Sequence, residues 1–464
     1  RARVRRCVGN PPRQTEDPQA PPCVPYWQGD NGGATYKGVT GDTITISIPS
    51  PNKRVVADLQ AYFNNRYEFY GRKLNLVLSK DNGNENTCTD RKAQAQADDE
   101  QLHIFAATTA SNGNAGQCYH SELARRKIIN VSTPQEFGDD ELDSYRPYLW
   151  QYMMGFDRQF QAMGELVCAH LAKQKAVHSP DPLLAARDRK YGVVLQHVIR
   201  DTDLSLQPLF DSLAKCGEKI DPAHVFRLST NDNAGLDHPE ASAAAIARLK
   251  ADNVTTVFNL GIVFVEQYIS SAADSQQYFP EWIFGTYGGN DLNTGIHAFW
   301  PQASQRQSIM GVGVSFPNRG INQEPAYWAM KEVDPGVDYN KDLADVGEFV
   351  LHYKAMMVLA SGIQLAGPNL NPTTFERGLQ AATFPYPKDD PTKSGNVGFR
   401  GDHSMTDDAV EYWWSEAAVG PIGYQTDGST GAICYIDQAA RLNLGAFPKG
   451  TDPFFKGPCY AGPT

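Results

Sequence analysis

The residues in this chain whose types and spacing could do chemistry are few, and they suit holding a molecule better than transforming one. The stretch ASNGNAG, residues 110–116, offers side-chain amides, a hydroxyl and turn-forming glycines between two short apolar runs, with Ser111, Asn112 and Gly113 at its tip. Ser132, Thr133 and Gln135 make a second polar turn directly after the apolar run from Ile128 to Val131. Catalytic signatures are missing: there is no G-x-S-x-G elbow, no G-x-x-x-x-G-K-[ST] phosphate loop, no H-E-x-x-H helix and no strand-borne G-x-G-x-x-G turn. The ten histidines are scattered, and those on strand-like runs, such as His103 and His197, read as structural. Acid pairs at Asp139-Asp140, Asp389-Asp390 and Asp407-Asp408 fall in polar stretches, where solvated turns account for them; acid-base work needs carboxyls of tuned pKa in a cleft. The acidic stretch from Asp81 to Asp90 lacks the glycine and the closing glutamate of a calcium loop, so neither a metal nor a cofactor is expected.

Charge and cysteines bound the partners and the compartment. A net charge of −11 over 464 residues argues against nucleic acid, because phosphate neutralisation needs clustered Lys and Arg, found here only from Arg1 to Arg6. No uninterrupted apolar segment approaches the length of about 20 residues that spans a bilayer, and no signal-peptide hydrophobic region is seen, so the chain reads as mature or trimmed. The eight cysteines contain no C-x-x-C pair, which removes metal-knuckle spacing. Pairing between sequence neighbours, Cys7 with Cys23, Cys88 with Cys118, Cys168 with Cys216 and Cys434 with Cys459, would suit an oxidising compartment; eight reduced, buried thiols in a cytosolic protein is the other reading.

The elements that must position these loops alternate. Residues 1–35 are rich in Pro and Gly and read as an extended, flexible leader. Strands are expected at Thr43 to Ile48, Lys73 to Ser79, His103 to Thr109, Ile128 to Val131 and Tyr148 to Met153, with helices at Val55 to Tyr70, Arg91 to Gln101, Tyr119 to Lys127 and from Asp157 to about Ala172. A second set follows: strands at Tyr191 to Ile199, His224 to Leu228, Thr255 to Leu260, Trp282 to Gly285 and Ile309 to Ser315, and helices at Leu206 to Lys215 and Ala241 to Ala251. Such alternation predicts parallel sheets with right-handed crossovers, hence an α/β fold of two similar lobes. A long apolar helix from Val346 to Leu365, a helix capped by Asn371 with Pro372 in first position, and a late strand at Glu411 to Trp414 complete the reading. In open parallel sheets, ligands dock beyond the carboxyl ends of the strands, so the two polar loops face one cleft.

The order of units, the loop ASNGNAG, KLNLVLSKDNGN, VTTVFNLG and WIFGTYGG together resemble the type I periplasmic binding proteins, and more narrowly the branched-chain amino acid and amide class of solute-binding proteins of ABC transporters. The resemblance covers roughly residues 42–420. It implies two Rossmann-like α/β/α lobes, residues 36–155 with 318–398 and residues 156–317 with 399–464, joined by linkers near Gly155, Pro317 and Phe399. It implies an extracellular or periplasmic protein, tethered as a lipoprotein, that closes like a hinge on a small molecule and is met by ABC permease subunits, without catalysis. A ligand-sensing ectodomain of the same fold and a secreted α/β enzyme are the alternatives. Carried over position by position, the resemblance places ligand contacts at Asn52, Ser111, Asn112, Gly113, Ser132, Thr133, Gln135 and the crossover residue Asp157 on one side, and at Asp201, Thr202, Val263, Phe264 and Tyr287 on the other. Amino-acid binders of the class carry an acid where this chain has Tyr287, so a less cationic solute is expected, an aromatic, amide or carboxylate compound gripped by Phe264 and Tyr287.

Overall fold

The structure is a computed structural model that describes all residues except 1–6, 11, 15, 18, 51, 80–86, 109–114, 134–135, 198–199, 202, 230–238, 262–263, 382–397, 400, 422–429 and 463–464; at 197, 229, 264 and 288 it describes the backbone alone. The chain begins with a small hairpin, β1 (Cys7–Val8) and β2 (Arg13–Gln14). The first sheet is β3 (Thr43–Ile48), β4 (Lys73–Leu78), β5 (Ala106–Ala107), β6 (Ile129–Ser132) and β7 (Leu149–Gln151), all parallel, in the order β4-β3-β5-β6-β7. The second holds β8 (Tyr191–His197), β9 (Ile220–Ser229), β10 (Thr256–Leu260), β11 (Glu281–Phe284), β12 (Ile309–Gly313), β13 (Asp408–Val419) and β14 (Thr430–Tyr435) in the order β14-β13-β12-β11-β10-β8-β9, with β15 (Leu442–Asn443) paired to β13. Its first five strands run parallel, and β13 and β14 extend it antiparallel.

Continuous apolar runs become strands buried on both faces, and the helices between them supply the cover. Every residue of β10 and β11 is buried. The first core draws on residues from Val39 to Trp150 and again from Ile321 to Met405. Two further clusters draw on residues from Met153 to Val314 and again from Ala409. The chain therefore passes between cores after Trp150, between Val314 and Ile321, and between Met405 and Ala409. Phe399, just ahead of the last of these passages, packs edge-on against Trp150 at 4.9 Å and is buried in the first core.

The helix Leu343–Ala366 is long and apolar enough to cross a membrane, but most of it is buried in the first core against Lys53–Arg66, Pro325–Val333 and Pro372–Ala381. Asn371 caps the last of these as expected: its Oδ1 accepts the Thr374 N–H at 3.1 Å, and the Thr374 Oγ1 accepts the Asn371 N–H at 3.0 Å. Asn371→Ala should cost about 1 kcal/mol, the usual worth of such a cap, read as a lowered urea midpoint at unchanged slope.

Three expectations need correction. The leader is not a free tether where it is described: Asp17 is buried and accepts the Tyr353 hydroxyl at 2.7 Å, Arg66 pairs with Glu16, and Gln364 Nε2 donates to the Pro22 carbonyl at 2.9 Å. Short polar side chains here find partners on two core helices, which sequence composition does not show. The strand expected from His103 to Thr109 shrinks to two residues, because His103 adopts a left-handed conformation (φ 50°) that ends the preceding helix. The strand expected at Glu411 to Trp414 is longer, Asp408–Val419, and β14 follows it. All four neighbour pairs of cysteines form disulfides.

Candidate functional site

Strand order reverses at two places, between β3 and β5 in the first sheet and between β8 and β10 in the second. Loops on either side of such a reversal splay apart and leave a crevice at the strands' carboxyl ends. The segment leaving β8 reaches the first lobe from there. Asp201 accepts hydrogen bonds from Lys92 Nζ at 2.6 Å, Arg125 Nη2 at 2.8 Å and Ser121 Oγ at 3.1 Å, and its own N–H donates to Gln117 Oε1 at 3.0 Å. Burial alone would push this carboxyl up, but Lys92 and Arg125 outweigh it and hold it below the usual carboxylate range. Beside it, Arg200 pairs with Glu141 at 2.5 Å and lies 5.0 Å over the Phe156 ring. The cleft is thus shut by side chains that cross from lobe to lobe.

Lys92 stands on the helix Cys88–Leu102, and Gln117, Ser121 and Arg125 on Gly116–Arg125. The disulfide Cys88–Cys118 joins these two helices near their starts. Its sulfurs and an Asp201 oxygen lie within 4.8 Å of one another, yet two sulfurs spent on a disulfide leave no thiolate for a metal.

The other expected contacts divide. Asn52 is an N-cap whose Oδ1 accepts the N–H groups of Arg54 and Val55 and whose Nδ2 donates to Asp345, so its side chain is already spoken for. Ser132 is buried and donates within the sheet, to the Trp150 carbonyl at 3.3 Å and Gln151 Oε1 at 3.2 Å. Asp157 accepts the N–H of Asp139 at 2.9 Å and of Arg158 at 2.9 Å, closing a turn at the first crossing. Tyr287 is fully buried, edge-on to Phe160 at 5.5 Å, with its hydroxyl directed to the Gln196 carbonyl at 3.4 Å; burial pushes that hydroxyl's pKa up. Thr133 is half-buried and its N–H donates to Glu136 at 3.2 Å. Ser111, Asn112, Gly113, Gln135, Thr202 and Val263 lie outside the described residues, as does the side chain of Phe264, which begins the helix Phe264–Ser275.

Glu136 was missed. Burial pushes its carboxyl up to about 8, against the Thr133 amide and the fields of Arg91 and Arg200. His120, 3.6 Å away and fully buried, is pushed down to about 3, so at neutral pH the proton of this pair stays on Glu136. Gly116 is a glycine for a steric reason: a Cβ there would sit 2.1 Å from Glu136 Oε1. A glutamate one residue past Gln135 carries no sequence signal that it will be buried and protonated.

Solved structures share the architecture. A leucine-binding protein from Thermotoga maritima superposes with a TM-score of 0.57 at 14% identity, over 87% of this chain and 99% of that one. A substrate-binding protein of an ABC transporter from Sphaerobacter thermophilus matches with a TM-score of 0.56 at 11% identity, over 88% and 100%. An ABC-transporter solute-binding protein from R. palustris in complex with 4-hydroxybenzoate matches with a TM-score of 0.54 at 11% identity, over 89% and 98%. The chain has the type I periplasmic binding protein fold. No protein-family model matches it, and no curated protein does.

Within the type I fold the crossings act together. Gln151 at the end of β7 pairs with Ser404 in a parallel bridge, its N–H donating to the His403 carbonyl at 2.9 Å. Arg158, on the second-lobe side of the first crossing, meets Asp139 at 2.7 Å, Asp402 at 3.0 Å and Asp407 at 3.3 Å. Two of the three crossings are thereby bound side by side.

Proposed function

We propose that this protein is a solute-binding protein that captures a small molecule between its lobes by hinge closure and presents it to an ABC importer, without chemistry. The observation that carries this reading is Asp201, a single carboxylate of one lobe gripped by three side chains of the other at the mouth of the cleft. Such contacts hold the lobes together, and a solute that binds the closed form better shifts the equilibrium toward it. Four disulfides favour a periplasmic or extracellular site of action, where a lipid tether would keep it near permease subunits.

The solute contacts proposed at the strand ends are Thr133 and Tyr287, with Ser111 to Gly113, Gln135, Thr202, Val263 and Phe264 proposed from the sequence alone. Asp157 and Asp201, the acids that could have met an ammonium, are both occupied by protein groups. Glu136 is held neutral beside the fields of Arg91 and Arg200. This charge pattern supports a carboxylate, with an aromatic or amide body, over a free cation; the structural neighbours include proteins in complex with 4-hydroxybenzoate and with leucine.

The test is a thermal-shift screen over aromatic acids, amides, amino acids and nucleosides. A carboxylate present at about a hundred times its Kd adds about 2.7 kcal/mol to the folded state and raises the melting temperature with concentration. Turnover of a hit, followed by mass spectrometry, would sink the transport reading. For any hit, Tyr287→Phe should weaken binding with little loss of stability, since only a 3.4 Å hydroxyl contact is removed; unchanged affinity removes that hydroxyl from the site.

A further inference from the structure

The second wall of the cleft rests on a buried acid. Glu266 lies in the first turn of Phe264–Ser275 and is fully buried, as are Asn259, Asn290 and Trp300 around it. Its Oε1 accepts a hydrogen bond from Asn259 Nδ2 at 2.9 Å, and Asn259 Oδ1 accepts the Gly261 N–H at 3.3 Å. From the other side, Asn290 Nδ2 donates to the carbonyls of Tyr287 at 3.0 Å and Gly261 at 3.4 Å, while its own main-chain carbonyl accepts the Tyr412 hydroxyl at 3.0 Å. A side chain at Gly261 has no room: a Cβ would sit 2.8 Å from Glu266 Cγ and 3.1 Å from Asn259 Oδ1. These polar groups form one knot beneath the turns that follow β10 and β11.

The hydrogen bonding of the knot closes only with an extra proton. Among the described residues, Glu266 Oε2 and Asn290 Oδ1 are both buried acceptors without a donor, and Trp300 Nε1–H is a donor without an acceptor. Turning the Asn290 amide over would aim its oxygen at two carbonyls, so its orientation is settled. A proton on Oε2 gives Asn290 Oδ1 its donor, and the Trp300 N–H can then serve the carboxyl. Burial pushes the Glu266 carboxyl up to about 8, against smaller stabilisation of the anion led by the Asn259 amide. Among the described residues no cation acts on it. The titratable groups on the elements packed against it are Asp291, which accepts from Thr286 and the Ser315 N–H, His297, bonded to the Gly431 carbonyl, and Tyr412, whose hydroxyl burial pushes far up.

We propose that Glu266 is a positioning residue of the solute site: as a carboxylic acid it bonds Asn259 and Asn290 and so fixes the spacing of the turns at Gly261 and Tyr287, against which a solute docks. The positioning role rests on the solute-binding reading above, whereas the knot can be probed without any solute. Native Glu266 keeps its proton to higher pH than the unfolded chain does, so its support is complete at low pH, falls as pH rises through the unfolded value and is fully lost above about 8.

Hydrogen exchange on the ligand-free protein, analysed by mass spectrometry and corrected for the intrinsic rate, decides the matter. At pH 4, below the unfolded value, Glu266→Gln matches the wild type in peptides containing Gly261 and Tyr287. Between pH 7 and pH 9 the wild type loses about tenfold more protection than Glu266→Gln in both peptides, because the opened segment is already ionised while the native acid gives up its proton only above about 8, and β12 is unchanged. Glu266→Leu is unprotected in both peptides at each pH; if that variant does not fold, wild type against Glu266→Gln still carries the test. An equal change in protection of wild type and Glu266→Gln between pH 7 and pH 9, or a loosened Glu266→Gln at pH 4, overturns the proposal. If the exchange results hold but no solute in the screen binds, the knot stands and the solute-site role falls with the binding reading.

Discussion

Glu281→Gln lowers the stability of the protein by about 3–5 kcal/mol. The carboxylate of Glu281 and the guanidinium of Arg189 are almost completely buried and meet in a two-pronged pair, Nε to Oε2 and Nη2 to Oε1, each 2.8 Å. The remaining positions on Glu281 are filled by the Thr256 hydroxyl at 2.6 Å and the His178 N–H at 3.1 Å, and Arg189 Nη1 donates to the Leu171 carbonyl at 2.8 Å. The pair thus fastens the segment before β8 to β10 and β11. The amide cannot balance the guanidinium, which is left as a buried charge without a counter-ion. Arg189→Met strands the opposite charge and should cost a similar amount. The double variant Arg189→Met/Glu281→Leu should recover much of the loss, because two apolar side chains of like volume need no desolvation. Urea denaturation of the three variants checks this; single variants within about 1 kcal/mol of wild type, the range typical of exposed pairs, would show that the pair is not a structural keystone.

The fold was legible because its strands are apolar runs long enough to be buried on both faces. Thr256–Leu260 and Glu281–Phe284 stand within one residue of where the sequence puts them, since a run such as VTTVFNL has no polar face to turn outward. Element ends were less legible where backbone geometry decides: a left-handed His103 cut one expected strand to two residues, and Ile220–Ser229 outgrew its apolar centre because pairing along β8 carries its polar flanks. The closing contacts of the cleft were harder still. Asp201 was read as a solute contact, yet its partners Lys92 and Arg125 are 109 and 76 residues away, and no local pattern reports which surfaces meet when lobes close. Glu266 hides for another reason. A glutamate in the first turn of a helix is ordinarily explained by the helix dipole, and only the surrounding burial shows that it has been kept from water.

Asp201→Ala should shift the protein toward its open form. The carboxylate receives charge-assisted bonds from Lys92 and Arg125, which are themselves partly exposed, so solvent screening discounts each to the modest worth of a surface pair. Together with the Ser121 bond, the sum is about 1–3 kcal/mol, or roughly 5- to 150-fold in the ratio of closed to open protein, while the Gln117 bond, made by the Asp201 main-chain N–H, is kept. The sign with pH follows from the depressed carboxyl: closure is favoured above the ordinary aspartate range and is lost only as pH falls through the lower value that Asp201 has in the closed form. Between pH 5 and 8 this contact should therefore be indifferent to pH. It should instead weaken with salt, since at about 1 M the screening length falls to about 3 Å, comparable with the contact distances, and Lys92 and Arg125 are partly exposed. Small-angle scattering of the ligand-free protein reads the outcome: a larger radius of gyration for Asp201→Ala than for wild type at low salt, with the difference shrinking in about 1 M salt. Superimposable curves at low salt would mean that the lobes are held by something other than Asp201. Solute affinity should fall in Asp201→Ala by the same factor as the closed population, which separates a residue that closes the cleft from one that touches the solute.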